Sequence, residues 1–132
     1  MAALLQRLPM TPSTHPTPDF TDLILVLSNA PDKLVAMRIA HHLVEERFAA
    51  CVNIGAPVTS MYAWQGKLEG GEEVPMWIKS TVARQAALIQ RLQELHPYEV
   101  PEIIVVPVTD GLPAYLDWVR HELSQPPLDE GA

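Results

Sequence analysis

Between residues 21 and 124 the hydrophobic and polar positions alternate between strand-like and helix-like periods. Leu23-Ile24-Leu25-Val26-Leu27 is an unbroken β-favouring run, the pattern of a strand covered on both faces. Ala30-Pro31-Asp32 then opens a helix, with proline and an acid at its positive end. Along residues 34–48 one face carries Ala36, Met37, Ala40, Leu43, Val44 and Phe48, and the other Arg38, His41, His42, Glu45 and Glu46. Ala50 to Ile54 alternates as a strand, and Gly55-Ala56-Pro57 interrupts it. Strand character resumes at Val58 and passes through Trp64. Gly70-Gly71 is the turn signal of a hairpin whose returning strand holds Met76-Trp77-Ile78-Lys79. Thr81 is the candidate N-cap of a second helix with the stripe Leu88, Ile89, Leu92 and Leu95, ended by His96-Pro97. Ile103 to Val106 is the last strand, and a short helix through Tyr115, Leu116, Val119 and Leu123 closes the pattern.

This order, β-α-β-β-α-β plus a terminal helix, predicts an α+β, ferredoxin-like βαββαβ sandwich with a long central hairpin. Right-handed crossovers put the last strand at an edge, where Pro107 is tolerated. Pro75 is expected at a strand start, outside the main sheet. The hairpin arms, roughly residues 58–69 and 72–80, exceed the usual ~5–6 residues and would project beyond the helical cover. An uncovered arm invites pairing with a second copy, so a symmetric homo-oligomer is expected.

Composition narrows the function. The chain has 132 residues, with 9 basic and 16 acidic side chains and a formal net charge of −7. That balance, without a basic run or a glycine-rich phosphate loop, argues against nucleic acid as partner. No apolar stretch approaches the roughly 20 residues of a membrane span. Six of the 13 prolines crowd residues 1–20 and the last ten positions. The expected organisation is a Pro-rich tail (1–20), one domain (21–124) and a C-terminal tail (125–132). Arg7 and Pro9 make a poor secretory signal, and the single cysteine, Cys51, closes no intrachain disulfide. A cytoplasmic protein with a reduced thiol is expected.

Candidate chemistry is densest at His96-Pro97-Tyr98-Glu99-Val100-Pro101-Glu102, with an imidazole, a phenol and two carboxylates. His96 with Glu99 and Glu102 could ligate a divalent cation such as copper or zinc. The competing reading is a histidine that ends a helix and suits its dipole. Cys51 reads as a small core hydrophobe more than a ligand. His41 and His42, each with a glutamate four residues on, read as solvated helix pairs. Trp64 beside Gln65-Gly66-Lys67 can face a cleft. Lys67 and Lys79 on the hairpin could receive an anion, although paired surface charges are the commoner role of such lysines. No nucleophile–base set stands out, so no enzymatic activity is expected, and a hydrolytic role for His96 ranks last.

Several segments together resemble the CutA divalent-cation tolerance family. They are Ala49 to Ile54, Ser60-Met61-Tyr62-Ala63-Trp64-Gln65-Gly66-Lys67, Glu73 to Lys79, and His96 to Glu102, with Tyr115-Leu116-Asp117-Trp118 near the end. The resemblance runs collinearly from about residue 22 to 123. It implies a ferredoxin-like protomer in a homotrimer similar to PII signalling proteins. It also implies a role in tolerance of copper and other divalent metals, without an established catalytic activity, and it favours His96 as ligand. Members proposed to bind copper carry a cysteine where Ser28 stands and a histidine where Leu95 stands, so this chain retains only His96 of that set. The alternative reading is a PII-like sensor or adaptor. Its intersubunit cleft, drawing on Cys51, Trp64, Lys67, Lys79 and Tyr98, would bind a small anion and signal to a partner protein.

Overall fold

A computed structural model describes residues 21–128. The expected tail at 1–20 and the end of the one at 125–132 lie outside them. The elements are β1 (Leu23–Ala30), α1 (Lys33–Glu45), β2 (Cys51–Ile54), β3 (Val58–Trp64), β4 (Lys67–Thr81), a 3-10 turn (Val82–Arg84), α2 (Gln85–Leu95), β5 (Ile103–Pro107) and α3 (Pro113–Leu123). The sheet runs β2-β4-β1-β5, every pairing antiparallel, with β3 paired to β4 alone. This is the α+β, ferredoxin-like arrangement, with β5 and its Pro107 at an edge.

The two sheet faces differ. Ile24, Val26, Met76 and Ile78 point to one face and are buried with Ala36, Ile39 and Leu43 of α1 and Leu88 and Leu92 of α2. The inward stripe of α1 is thus Ala36, Ile39, Leu43, and Met37, expected there, is exposed. On the opposite face α3 lays Leu116, Val119 and Leu123 over Leu23 and Ala50. The alternate residues beyond α3 form two cross-strand rows, Cys51-Lys79-Leu25-Val106 and Asn53-Trp77-Leu27-Ile104. No helix of the described chain covers the second row, and Trp77 and Ile104 stand 40% and 49% exposed.

Local chemistry explains the helix ends. Asp32 caps α1 by accepting from the Val35 N–H at 2.8 Å. At its C-terminus Arg47 takes φ 64°, and the Phe48 and Arg47 N–H groups return to the Leu43 and Val44 carbonyls. That is the Schellman pattern, here on a residue other than glycine. Thr81 instead ends β4 and precedes the 3-10 turn without a side-chain cap bond. Residues 125–128, expected to be tail, run back over α1. The Arg47 Nε donates to the Pro126 carbonyl at 2.9 Å, and the Leu128 N–H to the Glu45 carbonyl at 2.8 Å.

Three further expectations need correction. The hairpin turns at Gln65-Gly66, not at Gly70-Gly71, because Trp64 pairs with Lys67. Gln65 and Gly66 both have positive φ, 50° and 77°, as a two-residue type I′ turn requires. Gly70 and Gly71 lie inside β4, opposite Met61 and Ser60. Pro75 is not at a strand start but within β4, opposite Asn29 of β1. Its carbonyl accepts from Gly55. A strand residue's N and C=O point the same way, so the missing donor faces the break after β2 and no β1 bond is lost. Cys51 is only half-buried and sits on the open face, not in the core. Its Sγ lies 3.9 Å from the Lys79 Nζ.

Candidate functional site

The His96–Glu102 segment leaves the C-terminus of α2 and climbs to β5. Pro97 blocks continuation of the helix, and His96 holds the cap position with extended backbone. Its ring is buried, 6% exposed, and both nitrogens are used. The Nε2–H donates to the Asn29 carbonyl at 2.7 Å, and Nδ1 accepts from the Tyr98 N–H at 3.1 Å. An acceptor at Nδ1 and a donor at Nε2 define a neutral imidazole in one tautomer. The imidazole therefore ties β1 to the loop. Glu102 adds a second tie, accepting from the Asn29 side-chain amide at 3.3 Å.

These bonds bear on the expected ligand set. A metal at either ring nitrogen would displace a backbone group already bonded there, leaving a buried carbonyl or N–H without a partner. Among the described residues no group of three or more His, Cys, Asp or Glu side chains is placed to hold a metal ion. Within one chain His96, Glu99 and Glu102 are thus not gathered as a ligand set. Ser28, where copper-binding relatives are expected to carry cysteine, buries an unpartnered hydroxyl between Met76 and Ile103. The donors present do not fit a tight copper site in a single chain.

The residues expected around a cleft separate into two places. Trp64 and Lys67 face each other beside the Gln65-Gly66 turn at the arm tip. Lys79 and Cys51 pair at the other end of β4. Twelve strand positions, roughly 40 Å, divide the two lysines. Near Cys51 stands Tyr115, whose phenol is raised by burial and then by the adjacent thiol. Tyr98 belongs with Trp64. It lines a groove of about 700 Å³ together with Tyr62, Glu69, Glu73, Glu99 and Val100. The Tyr98 hydroxyl donates to a Glu73 carboxylate oxygen at 3.2 Å. Its phenol is raised, chiefly by burial and then by the Glu73 charge. Tyr62, Glu69 and Glu73 escaped the sequence reading because the misplaced turn put β3 and β4 out of register. With the turn at Gln65-Gly66, Tyr62 falls opposite Glu69 and their shared face is legible.

His41 and His42 form the expected helix pairs. His41 contacts Glu45, and His42 Nδ1 lies 2.9 Å from Glu46. Glu46 also binds Arg91 of α2 at 2.9 and 3.1 Å, and this guanidinium, ahead of His42, holds its carboxyl below the ordinary value.

Comparison with known proteins accounts for the architecture. The family model described as CutA1 divalent ion tolerance protein matches residues 24–122. The divalent-cation tolerance protein CutA of Pectobacterium atrosepticum is 44% identical over 102 residues, covering 77% of this chain and 93% of that one. The crystal structure of CutA from Xylella fastidiosa superposes with a TM-score of 0.77 at 43% identity, over 79% of this chain and all of that one. A structure from Archaeoglobus fulgidus, described as the periplasmic divalent cation tolerance protein CutA, gives a TM-score of 0.75 at 33% identity. It covers 77% of this chain and 99% of its own. No helix among the described residues is long and apolar enough to cross a membrane. With the β2-β4-β1-β5 sheet, the long arm and this likeness over most of the length, the chain belongs to the CutA1 divalent ion tolerance family.

Proposed function

We propose that the chain serves divalent-cation tolerance as a cytoplasmic homotrimer without catalytic activity, and that it holds cations weakly, at a site completed between copies. The observation that carries this reading is the bare sheet face. Trp77, Leu27 and Ile104 form an apolar cross-strand row, with Val106 in the row beside it, and the outer edge of β3 has no partner among the described strands. Such a surface and such an edge are stable when a second copy covers them. The family supports the tolerance role, since the Pectobacterium relative bears that name.

Cation contact then falls to Glu99 and Glu102 of the loop, with donors from a neighbouring copy. Carboxylates are hard ligands, so zinc is favoured over copper(I). His96 acts by holding the loop in place. Calorimetric titration of zinc and of copper into wild type, His96→Gln and the Glu99→Gln/Glu102→Gln pair tests this. Weak zinc binding is expected in wild type and His96→Gln and lost in the double variant. Equal binding by all three would remove the loop from the account.

A further inference from the structure

The groove between the arm and the 96–102 loop has a chemistry unlike that of the anion cleft expected from the lysines. Its floor comes from the arm, where Tyr62 and Trp64 on β3 share one face with Glu69 and Glu73 on β4. Its wall comes from Tyr98, Glu99 and Val100. The wall is pre-set by Pro97, by Pro101 and by the buried His96 ring that fixes the Tyr98 N–H. Three aromatic rings and three carboxylates line the space, and neither lysine nor arginine does. Lys67 stands at the rim, across the turn from Trp64, so the local balance stays negative. Trp64 is 60% exposed and Tyr62 50%, each offering a ring face that no described side chain is recorded as stacking on.

We propose that this groove binds an organic cation of the alkylammonium class, held by the faces of Trp64, Tyr62 and Tyr98 and neutralised by Glu69, Glu73 and Glu99. Aromatic faces attract a diffuse positive charge within about 6 Å of the ring, and an alkyl-substituted ammonium sheds water cheaply enough to lie there. A volume of about 700 Å³ is in the range of small-molecule sites. A divalent metal ion fits less well. It requires several oxygens within about 2.6 Å, and these carboxylates are not gathered at ligating spacing. The Tyr98 hydroxyl stays protonated and donates to Glu73, which orients that carboxylate along the groove.

The proposal does not depend on zinc binding by Glu99 and Glu102, and its test uses other residues. The full-length protein is titrated calorimetrically with tetramethylammonium chloride and with spermidine, against sodium chloride at equal ionic strength. Saturable binding of both is expected. Trp64→Leu should weaken tetramethylammonium roughly tenfold, and Glu73→Gln should weaken spermidine, with thermal stability and oligomeric mass unchanged in both variants. Three results would overturn the proposal. One is no heat beyond the sodium control. Another is wild-type affinity in both variants. The third is binding seen only after the assembly is dissociated by Ile104→Glu, which would give the groove to a second copy of the chain.

Discussion

His96 shows how one side chain can look like chemistry in the sequence and act as architecture in the fold. Its partners are a carbonyl 67 positions away and an N–H two positions on. Neither is a side chain, so no residue pattern announces them. His96→Ala leaves the Asn29 carbonyl and the Tyr98 N–H without a partner and should cost about 1–3 kcal/mol. Chemical denaturation measures this, and a loss no larger than that of exposed Glu102→Ala would contradict the structural role. Glu46 supplies a pH signature. Its carboxyl is held low by Arg91 and then His42. A lowered folded value stabilises the chain above the ordinary carboxylate value of 4.5, and that contribution is lost as pH falls through the folded value. Glu46→Gln should lower the denaturation midpoint at pH 7 and flatten its decline from pH 5 to 3. An unchanged profile would mean the α1–α2 pair is too well solvated to matter.

Among the elements, the strands and helices were legible because their periods differ. The β1 run, the Leu88–Leu92 stripe and the Leu116–Val119–Leu123 stripe each emerged as the expected type. The hairpin turn was not, because Gly-Gly is a stronger local signal than Gln-Gly, yet only the latter has the strand lengths to support it. Gly70 and Gly71 do not take positive φ, and a side chain at Gly71 meets nothing within 4 Å. At Gly66, φ is 77°. Thermal melts should therefore separate the two sites. Gly66→Val should destabilise by about 1–2 kcal/mol, whereas Gly71→Thr should be neutral or stabilising, as a β-branched residue in an extended strand. The reverse order would restore the turn to residues 70–71. The candidate site shares this origin, since Tyr62, Glu69 and Glu73 meet only in the register that the Gln65-Gly66 turn sets.

For the molecule as a whole, the open sheet row points to assembly. Ile104 lies on the edge strand, half exposed and outside both buried clusters. On the proposed assembly, Ile104→Glu should reduce the solution mass to that of a single chain in light scattering while far-ultraviolet circular dichroism is retained. A multimeric mass that survives this change would contradict the role given to the sheet row. The family relationship was legible over the whole domain because its motifs are collinear and local. A metal site was not, because ligation depends on distances between side chains that a linear pattern does not contain.

One strand joins these levels. β4 pairs with β1 and β2 over its second half and with β3 alone over its first. In an isolated chain its amides would exchange with solvent at two speeds. Those from Met76 to Thr81 would open only with global unfolding, and those of the arm by local fraying. Pro75, which has no amide, falls near the boundary between them. Association would slow only the faster group, so the exchange of a few arm amides would report, residue by residue, when one chain has found another.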